Sequence, residues 1–325
     1  MHQLFYTDRV AKILRNNHSL RMKSLTTSRC NKLSVLALIL VCFLILIGKP
    51  TALAQSPLEL RVMTFNLRYA STKPPNSWPE RRPVMRACIT NASPDIMGTQ
   101  EGLYHQLKDI ALDQPEYEWI GLGRDGGSQG EFMAIFYKKA LFEPVEFDHF
   151  WLSDTPNVIA SAHWGNTNRR MVTWVKFKQR SNGALFTVMN THLDHAISLA
   201  REKGARLIRE RATQLASDGL PMILLGDFNS VPGTEKTHEI LTQGNFLNDV
   251  WEYAKTRQND GLNTYHDFKG KQLGTARIDW ILTRGNWECD QAETVVFSRN
   301  GQFPSDHHPV SATLRLKTLN AVKPQ

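Results

Sequence analysis

Pro221-Met-Ile-Leu-Leu-Gly-Asp-Phe-Asn229 sets the pattern for the rest of the chain. Its first five residues are an unbroken apolar run that predicts a strand, and the strand runs out into Gly226, Asp227 and Asn229. The same arrangement recurs along the chain. Glu59–Phe65 reads as a strand leading to Asn66, and Ile96–Thr99 as a short one leading to Gln100-Glu101. Leu185–Thr191 leads to His192, while Ile278–Thr283 carries Asp279 beside Arg277. Ser305-Asp306-His307-His308-Pro309 precedes the last strand-like segment, Val310–Leu316. Taken singly, each has an ordinary explanation: Asp227-Phe228-Asn229 suits an Asx turn, and His192 a satisfied core histidine. Taken together they mean more, because polar groups at the exits of strands that share a sheet converge in space.

Helical segments separate these strands. Pro79–Ala92 reads as a helix stopped by Ser93-Pro94. Leu103–Leu112 places Leu103, Leu107, Ile110 and Ala111 on one face, and the charged segment Ile197–Ser217 places Leu207, Ile208 and Leu215 on another. Further strands are expected at Tyr117–Leu122, Phe132–Tyr137 and Met171–Lys178. No repeat, charge run or low-complexity linker divides residues 55–325. The pattern predicts one domain in which two packed sheets are flanked by helices.

Net charge tempts one towards nucleic acid, at +8 over 325 residues. Its location argues otherwise. Residues 1–54 hold eight Lys/Arg against the single acid Asp8, so seven of the eight net charges lie there. A near-neutral body gives no electrostatic case for tight, non-specific nucleic-acid binding. Within the same leader, Leu33–Ile47 is an apolar run without charge, preceded by a basic stretch and followed by Ala52-Leu-Ala54. That order predicts a secretory signal cleaved after Ala54, with residues 55–325 as the mature chain. The run is shorter than the roughly 20 residues that span a bilayer, and the long basic region leaves membrane anchoring as the alternative. Export, periplasmic or secreted, follows from either. Cys30 and Cys42 leave with the leader, and Cys88 and Cys289 remain, as one disulfide or two buried thiols.

Two glycine-rich motifs mislead. Gly121-Leu-Gly-Arg-Asp-Gly126 satisfies G-x-G-x-x-G, but the dinucleotide fingerprint must open a helix, and strand-like Glu131–Tyr137 follows instead. No dinucleotide cofactor is expected. Gly126-Gly-Ser128-Gln-Gly130 matches the nucleophile elbow, which also needs strand, turn and helix. A serine hydrolase using Ser128 stands as a rival reading, and a flexible loop explains these residues better.

The ordered set Asn66, Gln100-Glu101, Thr191-His192, Gly226-Asp227-Phe228-Asn229, Ile278-Asp279 and Ser305-Asp306-His307 resembles the endonuclease/exonuclease/phosphatase superfamily. That group includes secreted deoxyribonucleases, abasic-site endonucleases, deadenylases, sphingomyelinases and inositol-polyphosphate 5-phosphatases. The resemblance extends over nearly the whole of residues 55–325. It implies a DNase I-like four-layer α/β/β/α sandwich with the site at one end of both sheets. It also implies a Mg²⁺-dependent phosphoester hydrolase, with Mn²⁺ as a substitute. Carried over by motif, Glu101 is the principal metal ligand, with Asn66 and Asp306 nearby. His307 is the base or phosphate-binding histidine, and Asp279 holds its tautomer. Asp227 and Asn229 contact the nucleophile or the phosphate. His192 stabilises the phosphoryl oxygens or protonates the leaving group. Whether His307 or Asp227 takes the water's proton stays open.

The residue chemistry agrees, since Mg²⁺ prefers oxygen ligands and can polarise a phosphoryl oxygen. Arg124 and Arg170 are candidate phosphate contacts on charge alone. A two-metal metallophosphoesterase would want an early D-x-H and a G-N-H-[DE], which do not precede Asp227. A non-catalytic binding module on the same scaffold would be expected to have lost ligands, whereas every motif position is filled. The substrate is a phosphoester in nucleic acid, a phospholipid head group or a sugar phosphate, and no obligate protein partner is evident. Specificity is expected in segments 148–170 (Trp151, His163, Trp164, Arg169) and 251–274 (Trp251, Tyr253, Tyr265, His266).

Overall fold

The computed structural model describes residues 58–166 and 168–317. The expected leader and the cleavage point after Ala54 lie outside the described residues. The chain runs through β1 (Glu59–Asn66), α1 (Trp78–Ala92), β2 (Ile96–Gln100), β3 (Gly102–Leu103), α2 (Tyr104–Asp113) and β4 (Tyr117–Ile120). β5 (Glu131–Phe132), β6 (Ile135–Lys138), β7 (Phe142–Trp151), β8 (Met171–Gln179), β9 (Leu185–His192), α3 (Ser198–Leu215) and β10 (Met222–Asp227) follow. The remainder is α4 (Lys236–Thr242), β11 (Asn248–Asp249), α5 (Val250–Tyr253), β12 (Thr256–Gln258), β13 (Asp279–Arg284), β14 (Trp287–Thr294) and β15 (Val310–Leu316).

Two sheets form the body: seven strands in the order β12-β14-β15-β1-β2-β6-β4, and six in the order β11-β13-β10-β9-β8-β7. β10 shows why its sequence lacks alternation. Ile223 and Leu225 join the core between the sheets, with Leu60, Val62, Val188 and Ile281. Met222 and Leu224 join an outer core with Ala205, Ile208 and Ala212 of α3 and Leu241 of α4. A strand buried on both faces reads as a continuous apolar run. On the other outer side, Met63, Phe65 and Met97 pack with Met85 and Ile89 of α1 and Leu107 and Ile110 of α2. The layers are therefore α/β/β/α, as the motifs imply. Cys88 and Cys289 are free, buried thiols in different cores.

Besides the two- and three-residue strands β3, β11 and β12, two longer strands go beyond the elements expected from the sequence. β7 is a sheet edge whose middle is exposed and acidic, the usual protection of an edge, and its last four residues fall in the segment expected to be a loop. β14 alternates, but a register shift between Cys289 and Gln291 breaks its period. At one end of the sandwich the interior turns polar. Gln100 Nε2 donates to Asn190 Oδ1 at 2.7 Å and to Thr64 Oγ1 at 3.1 Å, while Asn190 Nδ2 donates to the carbonyls of Thr99 and Ala134 at 2.8 and 2.9 Å. Gly98 admits this bridge, since a Cβ there would lie 2.8 Å from Asn190 Oδ1. Among the described residues no helix is long and apolar enough to cross a membrane.

Candidate active site

Strand register assembles the first row of the site. Asp227 of β10 lies opposite His192 on parallel β9 and opposite Asp279 on antiparallel β13. On the other sheet Asn66 is in register with Gln100, which sets Glu101 one residue beyond it. His307 comes from a loop: Tyr265 bridges it, and the His308 N–H donates to the Thr264 carbonyl at 2.8 Å. Thr264 Oγ1 accepts from the Asp279 N–H at 3.3 Å, so one residue aligns both segments.

The eight residues carried over by motif come together. Asn66 Nδ2 donates to Glu101 Oε1 at 3.0 Å and to Asp227 Oδ2 at 2.9 Å, linking the two sheets' carboxylates. Glu101 holds a left-handed φ of 60° and accepts from the Tyr69 N–H at 3.2 Å. Arg68 lies between Glu101 (3.8 Å) and Asp306 (3.5 Å), beyond hydrogen-bond range of either. His307 Nδ1 meets Asp279 Oδ2 at 3.0 Å, and its Nε2 stands 3.9 Å from Asp227 Oδ2. Asn229, also left-handed at φ 47°, donates its N–H to Asp227 Oδ1 at 2.9 Å, and its Nδ2 lies 2.9 Å from His192 Nε2.

Burial separates the titrations. Burial and the Asp279 charge push the Asp227 carboxyl up to about 7. For His307 burial opposes the charge, but Asp279, Asp227 and Asp306 outweigh it and raise the imidazole to about 10. Burial and the charge of Arg170 hold His192 well below the usual histidine range, so it is neutral. Glu101 sits below the usual range, because the Asn66 hydrogen bond and the charges of His307 and Arg68 overcome burial. Asp306 sits above it, chiefly through burial. The cluster Asp227, Asp279 and His307 brings one ligand atom from each within 4.8 Å of the others and can hold a metal ion.

Glu101, His192, Asp227, Asn229, Asp306 and His307 line a cavity of about 430 Å³ that also receives Arg124 and Arg170, while Asn66 and Asp279 lie behind its wall. Arg170 is 3% exposed, pairs with Asp194 Oδ2 at 3.8 Å through Nε, touches His195 Nδ1 at 3.2 Å through Nη2, and has no hydrogen-bond partner at Nε or Nη1. A buried donor without a partner calls for one, whether an ordered water or a ligand. Arg124 differs: its Nη1 pairs with Glu131 Oε2 at 2.7 Å. Ser128 sits exposed in the turn before β5, where no helix follows, and does not line the cavity. A larger surface cavity of about 520 Å³ beside α1 contains no acid or histidine. Of the aromatic residues in the two expected loops, Tyr265 alone among those named reaches the 430 Å³ cavity, and Trp151 is core.

Sequence patterns gave no mark for Arg81. It is fully buried on α1 and donates five hydrogen bonds, all to backbone carbonyls: Asn76, Leu67, Pro304, Arg68 and Tyr69, at 2.8–3.2 Å. It thus clamps the loop after Asn66 to the loop before Asp306. Burial pushes its guanidinium down to about 10, still a cation. Three arginines lie on α1, and only tertiary burial distinguishes this one. Tyr69, His195 and Glu131 of the cavity wall were equally unmarked.

The family model described as the endonuclease/exonuclease/phosphatase family matches residues 63–307. A protein of that description from Bacteroides thetaiotaomicron is similar at 33% identity, covering 80% of this chain and 99% of that one, with a TM-score of 0.76. A mannosyl-6-phosphatase from Bacteroides thetaiotaomicron is 34% identical over 78% of this chain and 99% of its own, with a TM-score of 0.73. The human Nocturnin catalytic domain shares the fold at 17% identity, 79% and 94% coverage and a TM-score of 0.61. No curated protein matches.

Proposed function

Since the chain belongs to the endonuclease/exonuclease/phosphatase family and is a phosphoric ester hydrolase, we propose that it removes phosphate from a small, polar phosphomonoester, a sugar phosphate, outside the cytoplasm. The observation that carries this reading is the cavity whose wall brings the Arg170 guanidinium together with Glu101, Asp227, Asp306 and His307. Its volume of about 430 Å³ falls in the range of small-molecule pockets, roughly 300–1,000 Å³. The similarity to the mannosyl-6-phosphatase supports a sugar phosphate over nucleic acid, as does the near-neutral body of the chain.

Glu101 and Asp306 fit a hard divalent cation: both are carboxylates, and the cation now nearest them, Arg68, makes no hydrogen bond to either. Asn66 fixes Glu101 through its amide. Bound there, Mg²⁺ or Mn²⁺ would polarise a phosphoryl oxygen and neutralise charge on the leaving oxygen. The residues do the rest. Arg170, in the cavity wall, supplies positive charge to the non-bridging oxygens. Asp227, with its carboxyl at about 7, accepts the water's proton near neutral pH. His307, kept protonated by Asp279, donates from Nε2 to the phosphate. Neutral His192 holds Asn229, which orients the water.

Hydrolysis of hexose 6-phosphates, p-nitrophenyl phosphate, bis-p-nitrophenyl phosphate, duplex DNA and sphingomyelin tests this. Monoester turnover should vanish with chelator and return with Mg²⁺ or Mn²⁺. Preferred cleavage of the diesters, or chelator-resistant turnover, would overturn it. Export predicts a mature terminus at Gln55, read by mass spectrometry of the exported fraction. An intact Met1 in the cytosol contradicts it.

A further inference from the structure

The cavity wall presents two kinds of arginine. Arg170 is held only loosely, by Asp194 Oδ2 at 3.8 Å and His195 Nδ1 at 3.2 Å, and has no hydrogen-bond partner at Nε or Nη1. Arg124 is already neutralised by Glu131, at 2.7 Å, so that wall offers donors and acceptors with little net charge. Such a surface matches hydroxyl groups, which both donate and accept, and matches neither a second phosphate nor an apolar chain. Asn168, another donor and acceptor, lines the same cavity, and half-exposed Tyr69 and Tyr265 supply flat faces at it.

The pair is held rigidly by the glycine-rich turn whose sequence imitates a nucleotide loop. The Arg124 N–H donates to the Glu131 carbonyl at 2.9 Å, and the Trp151 indole donates to the Arg124 carbonyl at 2.7 Å. A Cβ on Gly123 would collide with the Gln129 backbone, and one on Gly130 would lie 2.5 Å from Asp125 Oδ2. These glycines therefore serve a tight return of the chain that sets Arg124 and Glu131 in the wall. Burial raises the Glu131 carboxyl while Arg124 opposes it, as expected for a pair facing a partly enclosed space.

We infer that Arg124 and Glu131, with Asn168, form the subsite that reads the hydroxyl groups of the leaving alcohol, and so select phosphate esters of sugars or related polyols. The inference rests on the phosphomonoesterase reading above. It is tested with Glu131→Gln, which keeps the shape and leaves Arg124 unpaired. The ratio of kcat/KM for a hexose 6-phosphate over that for p-nitrophenyl phosphate should fall about tenfold or more, mainly through KM, as loss of charged hydrogen bonds predicts. Activity towards a hexose bisphosphate should rise relative to the monophosphate, because the freed guanidinium now attracts a second anion. An unchanged ratio, or parallel loss on both substrates, would overturn the subsite. If Glu131→Gln does not fold, Asn168→Ala provides the same ratio. A native enzyme that hydrolyses p-nitrophenyl phosphate but shows no preference for hexose phosphates would refute the sugar specificity, and the subsite with it, while leaving the hydrolase intact.

Discussion

Two groups near the six-stranded sheet, buried apart from exposed Glu252, contain the same chemistry and behave in opposite ways. Asp227, Asp279 and His307 form one, and His238, Asp249 and Glu252 the other, and each brings its ligand atoms within 4.8 Å. In the second, Asp249 is spent: His238 Nε2 at 3.0 Å and Arg277 Nη2 at 2.7 Å reach one oxygen, and the Trp251 N–H reaches the other at 3.0 Å. Burial alone would raise its carboxyl, but His238 and Arg277 hold it below the usual range. In the first, Asp279 Oδ1 is buried without a hydrogen-bond partner, and Asp227 accepts from Asn66 Nδ2 and the Asn229 N–H at 2.9 Å each while its histidines stand at 3.5 and 3.9 Å. Residue type and proximity do not make a reaction centre. Placement separates the two groups: Asp227 and His307 line the cavity of about 430 Å³, and none of His238, Asp249 and Glu252 does.

The largest effect that would break this contrast is on turnover. His307→Ala should lower kcat by about 10²–10⁴-fold in a folded protein, the usual contribution of a positioned proton-transfer group. Asp279→Asn should follow it, since it frees the imidazole tautomer. His308→Asn should change kcat far less, although it is the next residue, because its ring stacks on His266 at 3.9 Å and does not line the cavity. Wild-type turnover in His307→Ala, by steady-state kinetics, would erase the distinction.

Stability should show the reverse order. Asp249→Asn leaves Arg277 without its buried carboxylate and should cost about 3–5 kcal/mol by denaturant unfolding, with kcat of the folded fraction retained. A variant as stable as the native protein would mean that the second group is not structural.

The finest test is the pH dependence of the metal-free protein. Asp227 is raised from 3.8 to about 7, so the folded state binds the extra proton in that window and stability falls as pH rises through it. Asp227→Asn should therefore raise the Tm at pH 8, and the gain should disappear towards pH 4. Asp249 is lowered, so its contribution is present above the ordinary aspartate range and is lost as pH falls below it. The Tm deficit of Asp249→Asn should shrink only in acid. Parallel pH curves for the two variants would contradict the assignment.

The sequence alone determined the strands that carry chemistry and the order of their polar exits. β1, β2, β9, β10 and β13 are signalled by local apolar runs, and a run of that kind needs no knowledge of its neighbours. The eight motif residues were legible because each adjoins such a run: Asn66, Glu101, His192, Asp227 and Asn229 at its exit, and Asp279, Asp306 and His307 at its start. Only the tertiary structure decided which polar groups are spent and which are free. Arg277 adjoins Asp279 in sequence yet neutralises Asp249 in space. Arg170 and Arg124 look alike in sequence, and one faces Asp194 and His195 while the other is held by Glu131. Arg81 carries no mark until five carbonyls from three loop segments converge on it. β7 and β14 escaped for related reasons, an edge that must stay charged and a bulge that breaks the period. Strand propensity is a property of neighbouring residues, whereas hydrogen-bond satisfaction and burial depend on partners distant in sequence, and those partners exist only once the chain has folded.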